Sequence, residues 1–271
     1  MTGVAGSTVG ARNPVVQQVR LLLTALRFLT RVPSPRWLGF DAEDLARSTP
    51  YFPVVGLAVG AGAGALYAGA ALLWPPPVAA VLATAWTVWL TGAFHEDALA
   101  DSLDGFGGGW DRAHILGIMK DSRIGAYGAV GLVLAVTVKI AALVAVAAGG
   151  PGAVVRALVA AHVLARWSSL PLIWRYRYVR PEDSEARSKP FASSVTSLRL
   201  AVGSGLMLLL VGLALGRRAP VVLAAACIVT LAAGRYFRRR LGGITGDCLG
   251  AANPFVELAV YLALATDELH P

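Results

Sequence analysis

Acidic residues are scarce in this chain, 16 in all, yet six of them fall between Glu96 and Asp121. The densest stretch reads His95-Glu96-Asp97-Ala98-Leu99-Ala100-Asp101-Ser102-Leu103-Asp104-Gly105. On a helix advancing about 100° per residue, Asp97, Asp101 and Asp104 fall within about 60° of one another. Carboxylates so close repel each other, and a divalent cation relieves the repulsion. Hard oxygen ligands suit Mg²⁺ or Mn²⁺. The plain alternative is a solvated helix end with three ordinary aspartates, but no basic residue stands at i±4 on that face to neutralise them.

Downstream, Gly105-Phe106-Gly107-Gly108-Gly109 is expected to break the helix and expose backbone N–H groups. Asp111 is placed to cap a short helix starting at Arg112. Met119-Lys120-Asp121-Ser122-Arg123-Ile124-Gly125 then brings two cations and a hydroxyl before the next apolar run. Glycines, cations and a metal cluster together suit a polyphosphate, whose oxygens are taken by backbone donors, Lys/Arg and metal. Two further loops contribute. Glu182–Ser193 contains Arg187 and Lys189, and Leu241–Ala251 reads LGGITGDCLGA around one carboxylate, Asp247. Asp247 could complete a metal shell, act as a base, or be a turn aspartate. His162 reads as an interhelical donor in a buried span, and Arg166, nearer the end of that span, as within reach of a phosphate. Arg238–Arg240 read as a topology and lipid anchor.

These residues sit in a chain that lacks the polar surface of a soluble protein. Of its 271 residues 56% are hydrophobic and 15% charged, with mean hydropathy +0.63, whereas soluble domains carry about 25% charged residues. Uncharged runs such as Phe52–Trp74 reach the roughly 20 residues needed to cross a bilayer. The expectation is an all-α polytopic membrane protein of one domain. Its seven expected spans are Phe52–Trp74, Val78–Phe94, Ile124–Ala148, Ala153–Trp174, Leu198–Gly216, Ala219–Phe237 and Ala251–Thr266, the second continuing into the aspartate helix. Gly56, Gly60 and Gly64 leave the first span a bare face for close packing. Before these, Pro14–Val32 carries Gln17, Arg20, Thr24, Arg27 and Arg31 on one stripe, which suits a helix lying in the headgroup region with its arginines toward lipid. Met1–Asn13 has no signal-peptide pattern, and two cysteines make no disulfide framework.

Four segments hold 19 of the 24 Lys+Arg: the stretch to Arg47, Arg112–Arg123, Arg175–Arg199 and Arg235–Arg240. The turns at Pro75–Pro77 and Gly149–Gly152 hold none, and Arg217-Arg218 is the contrary pair. The positive-inside rule puts the four basic segments, and the aspartates with them, on the cytoplasmic side of the cell membrane. The net charge of +8 thus reports topology, and no nucleic-acid partner is expected.

The chain resembles the cobalamin synthase family, the adenosylcobinamide-GDP ribazoletransferases. The resemblance rests on H-x-D-x-L-x-D-x-x-D-G at His95–Gly105, on G-G-x-D-R-x-x-x-x-x-I-M-K-D-S-R-x-G at Gly108–Gly125, and on G-x-T-G-D-x-x-G-A at Gly243–Ala251. It extends along nearly all of the chain after Thr24. Ala98, where glycine is expected, and Glu96, where an apolar residue is usual, depart from the pattern. The resemblance implies transfer of the phosphoadenosylcobinamide moiety of adenosylcobinamide-GDP to α-ribazole or its 5′-phosphate, with release of GMP and a requirement for Mg²⁺. Asp97, Asp101 and Asp104 are then the expected metal ligands, with Lys120, Arg123 and Asp247 catalytic. Arg112, Ser122, Arg166, Arg187 and Lys189 are expected to bind substrate. A lipid bilayer is the expected surrounding, and a homo-oligomer is allowed. Two other classes share features. A CDP-alcohol phosphotransferase also uses D-x-x-D-G, as at Asp101–Gly105, but its following Ala-Arg is absent here. A transporter would place its charges at the midplane rather than at one face.

Overall fold

The structure is a computed structural model and describes residues 14–179 and 195–267. Its regular elements are helices: α1 Pro14–Leu29, α2 Ala42–Ser48, α3 Phe52–Ala70, α4 Pro76–Thr91, α5 Phe94–Gly108, α6 Arg112–Met119, α7 Ala126–Val146, α8 Pro151–Arg175, α9 Ser197–Leu215, α10 Ala219–Leu241 and α11 Gly246–Asp267. Helix α8 is the axis. Small residues along it (Ala153, Ala157, Ala160, Ala161, Ala165) are all buried, which lets α3, α9, α10 and α11 pack around it. The glycine stripe of α3 serves this approach as expected. A Cβ at Gly56 would collide with the backbone of His162, and one at Gly60 would lie 2.6 Å from the Leu158 carbonyl.

Outward faces of α7, α9 and α10 expose Val130, Val133, Leu134, Leu209, Leu213, Ile228 and Leu231, an apolar band larger than water tolerates and suited to lipid. By length and composition, five helical stretches among the described residues can cross a membrane, or six if α4 and α5 count as one bent span. The difference from the expected seven has two sources. One is the bend between α4 and α5. The other is Ser197–Leu241, a single 45-residue stretch in that count, which comprises α9 and α10. Trp167 of α8 donates to Ser204 of α9 at 2.9 Å, while Gly234 of α10 lies against Leu172 and Tyr176. Both helices therefore meet the same end of α8, and the chain reverses at Gly216–Arg218 (φ +53° at Gly216).

Two expectations about the helices are corrected. The aspartate helix does not continue the preceding span. Gly92 (φ +71°) and Ala93 (φ +58°) are both left-handed, and α5 leaves α4 at 89°. A left-handed alanine costs about 1–2 kcal/mol, and the amides of Gly92 and Ala93 close α4 by donating to Trp89 and Val88. Second, the arginine stripe of α1 does not face lipid alone. Arg20 pairs with the buried Asp44 of α2, Gln17 donates to the same carboxylate at 3.2 Å, and Arg27 donates to the Gly39 carbonyl at 2.6 Å. At 16 residues, α1 is shorter than the roughly 20 a crossing needs. It buries Leu21, Ala25 and Leu29 against α2 and α3.

Candidate active site

The carboxylates are graded in depth along α5: Asp97 is exposed, Asp101 half-buried and Asp104 buried. The first turn of α11 lies against this helix, and Gly250 makes the contact possible, since a Cβ there would collide with the Ala98 methyl. The glycine expected at position 98 is thus matched by a glycine across the interface. Expected to begin at Ala251, α11 begins at Gly246. The Thr245 hydroxyl accepts from the Cys248 amide at 3.1 Å, which caps the helix and places Asp247 in its first turn. Hydrogen bonds from Val179 to the Ile244 carbonyl (2.7 Å) and from Ile244 to the Arg177 carbonyl (2.9 Å) tie this turn to the end of α8.

Asp247 is thereby brought to the α5 carboxylates. Burial, together with Asp97, Asp247 and Asp104 as neighbours, pushes the Asp101 carboxyl up to about 6. Crowded hard oxygens of this kind fit a divalent cation. Among the described residues no three His, Cys, Asp or Glu side chains form a group that could hold a metal ion. Mg²⁺ needs no such group, because it is commonly held by one or two carboxylates plus waters and substrate phosphates. Asp104 also joins two helices. Its oxygens accept the amides of Gly125 (2.7 Å) and Gly128 (2.8 Å), neutralising the first turn of α7 and locking it to α5.

The glycine-rich segment differs from the expected phosphate-cradling loop. Gly105, Gly107 and Gly108 lie inside α5, so their amides belong to the helix. Their small size admits neighbours: a Cβ at Gly105 would lie 2.7 Å from Met119, and one at Gly107 2.5 Å from Tyr127. Asp111 caps α6 as expected, accepting from the His114 amide at 2.9 Å. Arg112, Lys120, Ser122 and Arg123 are exposed on α6 and the turn after it. Arg123 donates to Asp121 (Nε–Oδ1 3.0 Å) and holds that carboxyl down at about 2. Arg240 is more than an anchor. Its guanidinium donates to the carbonyls of Gly109 (2.7 Å) and Phe106 (3.3 Å), capping the carboxyl end of α5. Arg187 and Lys189 lie outside the described residues.

Arg166 is not at the carboxylates. It is 2% exposed and pairs with Glu257 of α11, which also receives His162 at 2.9 Å and Lys139 of α7 at 2.8 Å. Buried charges require such pairing, and this knot binds α7, α8 and α11 in the interior. Glu96 turns toward it, lining a small cavity with Lys139 and Glu257, and so faces neither the aspartates nor lipid headgroups. A larger cavity of about 350 Å³ lies beside the first turn of α11. Two of its lining residues, His95 and Asn253, were not singled out for the site from sequence.

Fold and site together define a multi-pass helical membrane protein with a carboxylate cluster where a bent helix meets the start of its last one. A family model described as cobalamin-5-phosphate synthase matches residues 21–265, and the chain belongs to that family. It is 41% identical to an adenosylcobinamide-GDP ribazoletransferase of Shewanella frigidimarina, covering 92% of this chain and 95% of the relative. Relatives of the same description from Leptothrix cholodnii (42%, covering 92% and 96%) and Polaromonas (43%, covering 93% and 99%) are equally similar. No solved structure matches the chain.

Proposed function

We propose that this chain joins the phosphoadenosylcobinamide moiety of adenosylcobinamide-GDP to α-ribazole or its 5′-phosphate, giving adenosylcobalamin or its 5′-phosphate and GMP. The observation that carries the reading is the meeting of Asp97, Asp101 and Asp104 with Asp247, in a chain whose relatives bear that description. A ribose hydroxyl oxygen forms a bond to the phosphorus on the cobinamide side. The bond from that phosphorus to the bridging oxygen breaks, and GMP leaves with the electron pair. Asp247, which joins the cluster from the first turn of α11, is the carboxylate assigned to receive the hydroxyl proton. Mg²⁺ held by Asp97 and Asp101, with the substrate's phosphates completing its shell, would neutralise pyrophosphate charge, while Asp104, expected as a third ligand, is engaged by the amides of Gly125 and Gly128. Lys120 and Arg123, with Arg112 and Ser122 beside them, are assigned to phosphate oxygens. For Arg123 this means exchanging Asp121 for the substrate.

We place the site on the cytoplasmic face of the cell membrane. Arg20, Arg27, Lys120, Arg177 and Arg240 stand on elements joined at the carboxylate end of the bundle, and basic residues of multi-pass proteins concentrate on that side. The reading is tested by incubating purified chain with Mg²⁺, adenosylcobinamide-GDP and α-ribazole and measuring GMP. Release that depends on α-ribazole supports it, and no release removes it.

A further inference from the structure

The cavity beside α11 has an unusual wall. Four phenylalanines, Phe28, Phe40, Phe52 and Phe94, stand in it, with Phe28 stacked on Phe52 at 6.0 Å and edge-on to Phe94 at 5.7 Å. Set among them are two buried polar side chains with unmet hydrogen-bonding capacity. His95 is 4% exposed, and neither ring nitrogen has a partner. Asn253 is 2% exposed; its amide nitrogen donates to the Leu249 carbonyl, while its oxygen has no partner. Leaving such groups unpaired costs about 1–3 kcal/mol each, so their presence in the wall of an apolar cavity points to a ligand that pairs with them.

Position narrows the ligand. Gly246 and Gly250, which also line the cavity, bracket Asp247 on α11, and Phe94 of the cavity wall stands on α5 one turn before Asp97 and on the same side of the helix. An occupant would therefore continue into the carboxylate cluster. We infer that the cavity holds the heteroaromatic base of the acceptor nucleoside, with His95 donating to the one unsubstituted ring nitrogen and Asn253 accepting from a ribose hydroxyl. This assignment rests on the reaction proposed above. A fused aromatic ring with methyl substituents and a single free nitrogen matches phenylalanine walls with few polar groups. The guanine of the donor carries donors and acceptors on most of its edges and would leave them unpaired here. A corrinoid macrocycle is too large for about 350 Å³. A lipid chain would satisfy the phenylalanines and leave His95 and Asn253 unpaired.

The test measures GMP release by the full chain at saturating donor and Mg²⁺, with two acceptors varied in turn. One is α-ribazole; the other is the matching indole riboside, in which carbon replaces the free ring nitrogen. Wild type is expected to prefer α-ribazole in kcat/KM by about 5- to 100-fold, the effect of one buried hydrogen bond left unmade. His95→Leu should abolish that preference by raising KM for α-ribazole, without changing KM for the donor, and His95→Gln should retain part of it. The wild-type comparison needs no variant to fold. Equal use of both acceptors by wild type would overturn the assignment while leaving the reaction in place. A rise in donor KM in His95→Leu would also overturn it, by giving the cavity to the nucleotide. Absence of GMP with either acceptor would remove the reaction and the assignment together.

Discussion

The contact of α5 with α11 at Ala98 and Gly250 makes a sharp prediction. In Gly250→Ala the new methyl would sit on the Ala98 methyl, whereas non-bonded carbons keep about 3.5–4.0 Å apart. The helices must therefore part by about 1 Å or more. Neither yields easily, since Asp104 fastens α5 to α7 and Glu257 fastens α11 to α7 and α8. Overpacking of this kind costs about 1–3 kcal/mol. The same displacement draws Asp247 away from Asp97 and Asp101, and a misplacement of about 1 Å at a reacting centre can cost about 100-fold in rate. Ala98→Gly alone should cost about 1 kcal/mol of helix propensity. In the double variant the added methyl meets Ala98 Cα and the Phe94 carbonyl at 3.8 Å, ordinary contact distances. The double variant should therefore recover stability and rate relative to Gly250→Ala, with a favourable coupling of about 0.5–3 kcal/mol. Thermal unfolding in detergent and GMP release per folded enzyme measure both. Strict additivity of the two changes, or a Gly250→Ala enzyme indistinguishable from wild type, would refute the close approach.

Three other outcomes follow from the same geometry. With the Asp101 carboxyl raised to about 6, protons compete for the cluster: Mg²⁺ affinity, read from activity or calorimetry, should fall as pH drops from 7 to 5, and Asp101→Asn should flatten that dependence. Glu257→Gln strands Lys139 and Arg166 in the interior and should lower stability by about 3–5 kcal/mol, seen as a depressed unfolding temperature or little folded protein. Arg240→Gln loses the bonds to Gly109 and Phe106 and should lower stability by about 1.5–3 kcal/mol, reducing turnover with it. By contrast Arg239→Gln, on an exposed side chain, should change stability by less than about 0.5 kcal/mol and leave the rate per folded enzyme intact.

What could be read from sequence was what periodicity carries. The shared face of Asp97, Asp101 and Asp104, the Asp111 cap and the bare face of α3 all depend on residues within a few turns of one helix. What escaped depended on long-range pairing or on single dihedrals. A span ending in Gly92-Ala93 reads as continuous, because nothing in an alanine announces a left-handed backbone. Glycines at 105, 107 and 108 look like a loop until α6 and α7 are seen pressed against them. Arg20 could not be matched to Asp44 across 24 residues without the fold. Two other features do leave a trace in the sequence. Thr245 before Gly246-Asp247-Cys248 is a legible helix cap, and a lone glutamate in the last span opposite Lys139 and Arg166 in two others is a legible interior pairing. Asn253 gave no such signal, and although His95 opens the motif at His95–Gly105, the unmet hydrogen bonds of both exist only in the folded chain.

The proposed reaction turns on the carboxylates that α5 and α11 bring together, and one measurement tests this most directly: GMP release from adenosylcobinamide-GDP and α-ribazole by wild type and by Asp101→Asn, at equal folded concentration and saturating Mg²⁺. Asp101 is the carboxylate on which Asp97, Asp104 and Asp247 all act. Wild type should release GMP only when α-ribazole is present, and Asp101→Asn should be slower by about 100-fold or more, the loss expected when a group stabilising transition-state charge is removed. A folded Asp101→Asn enzyme that releases GMP at the wild-type rate would contradict a catalytic role for the cluster.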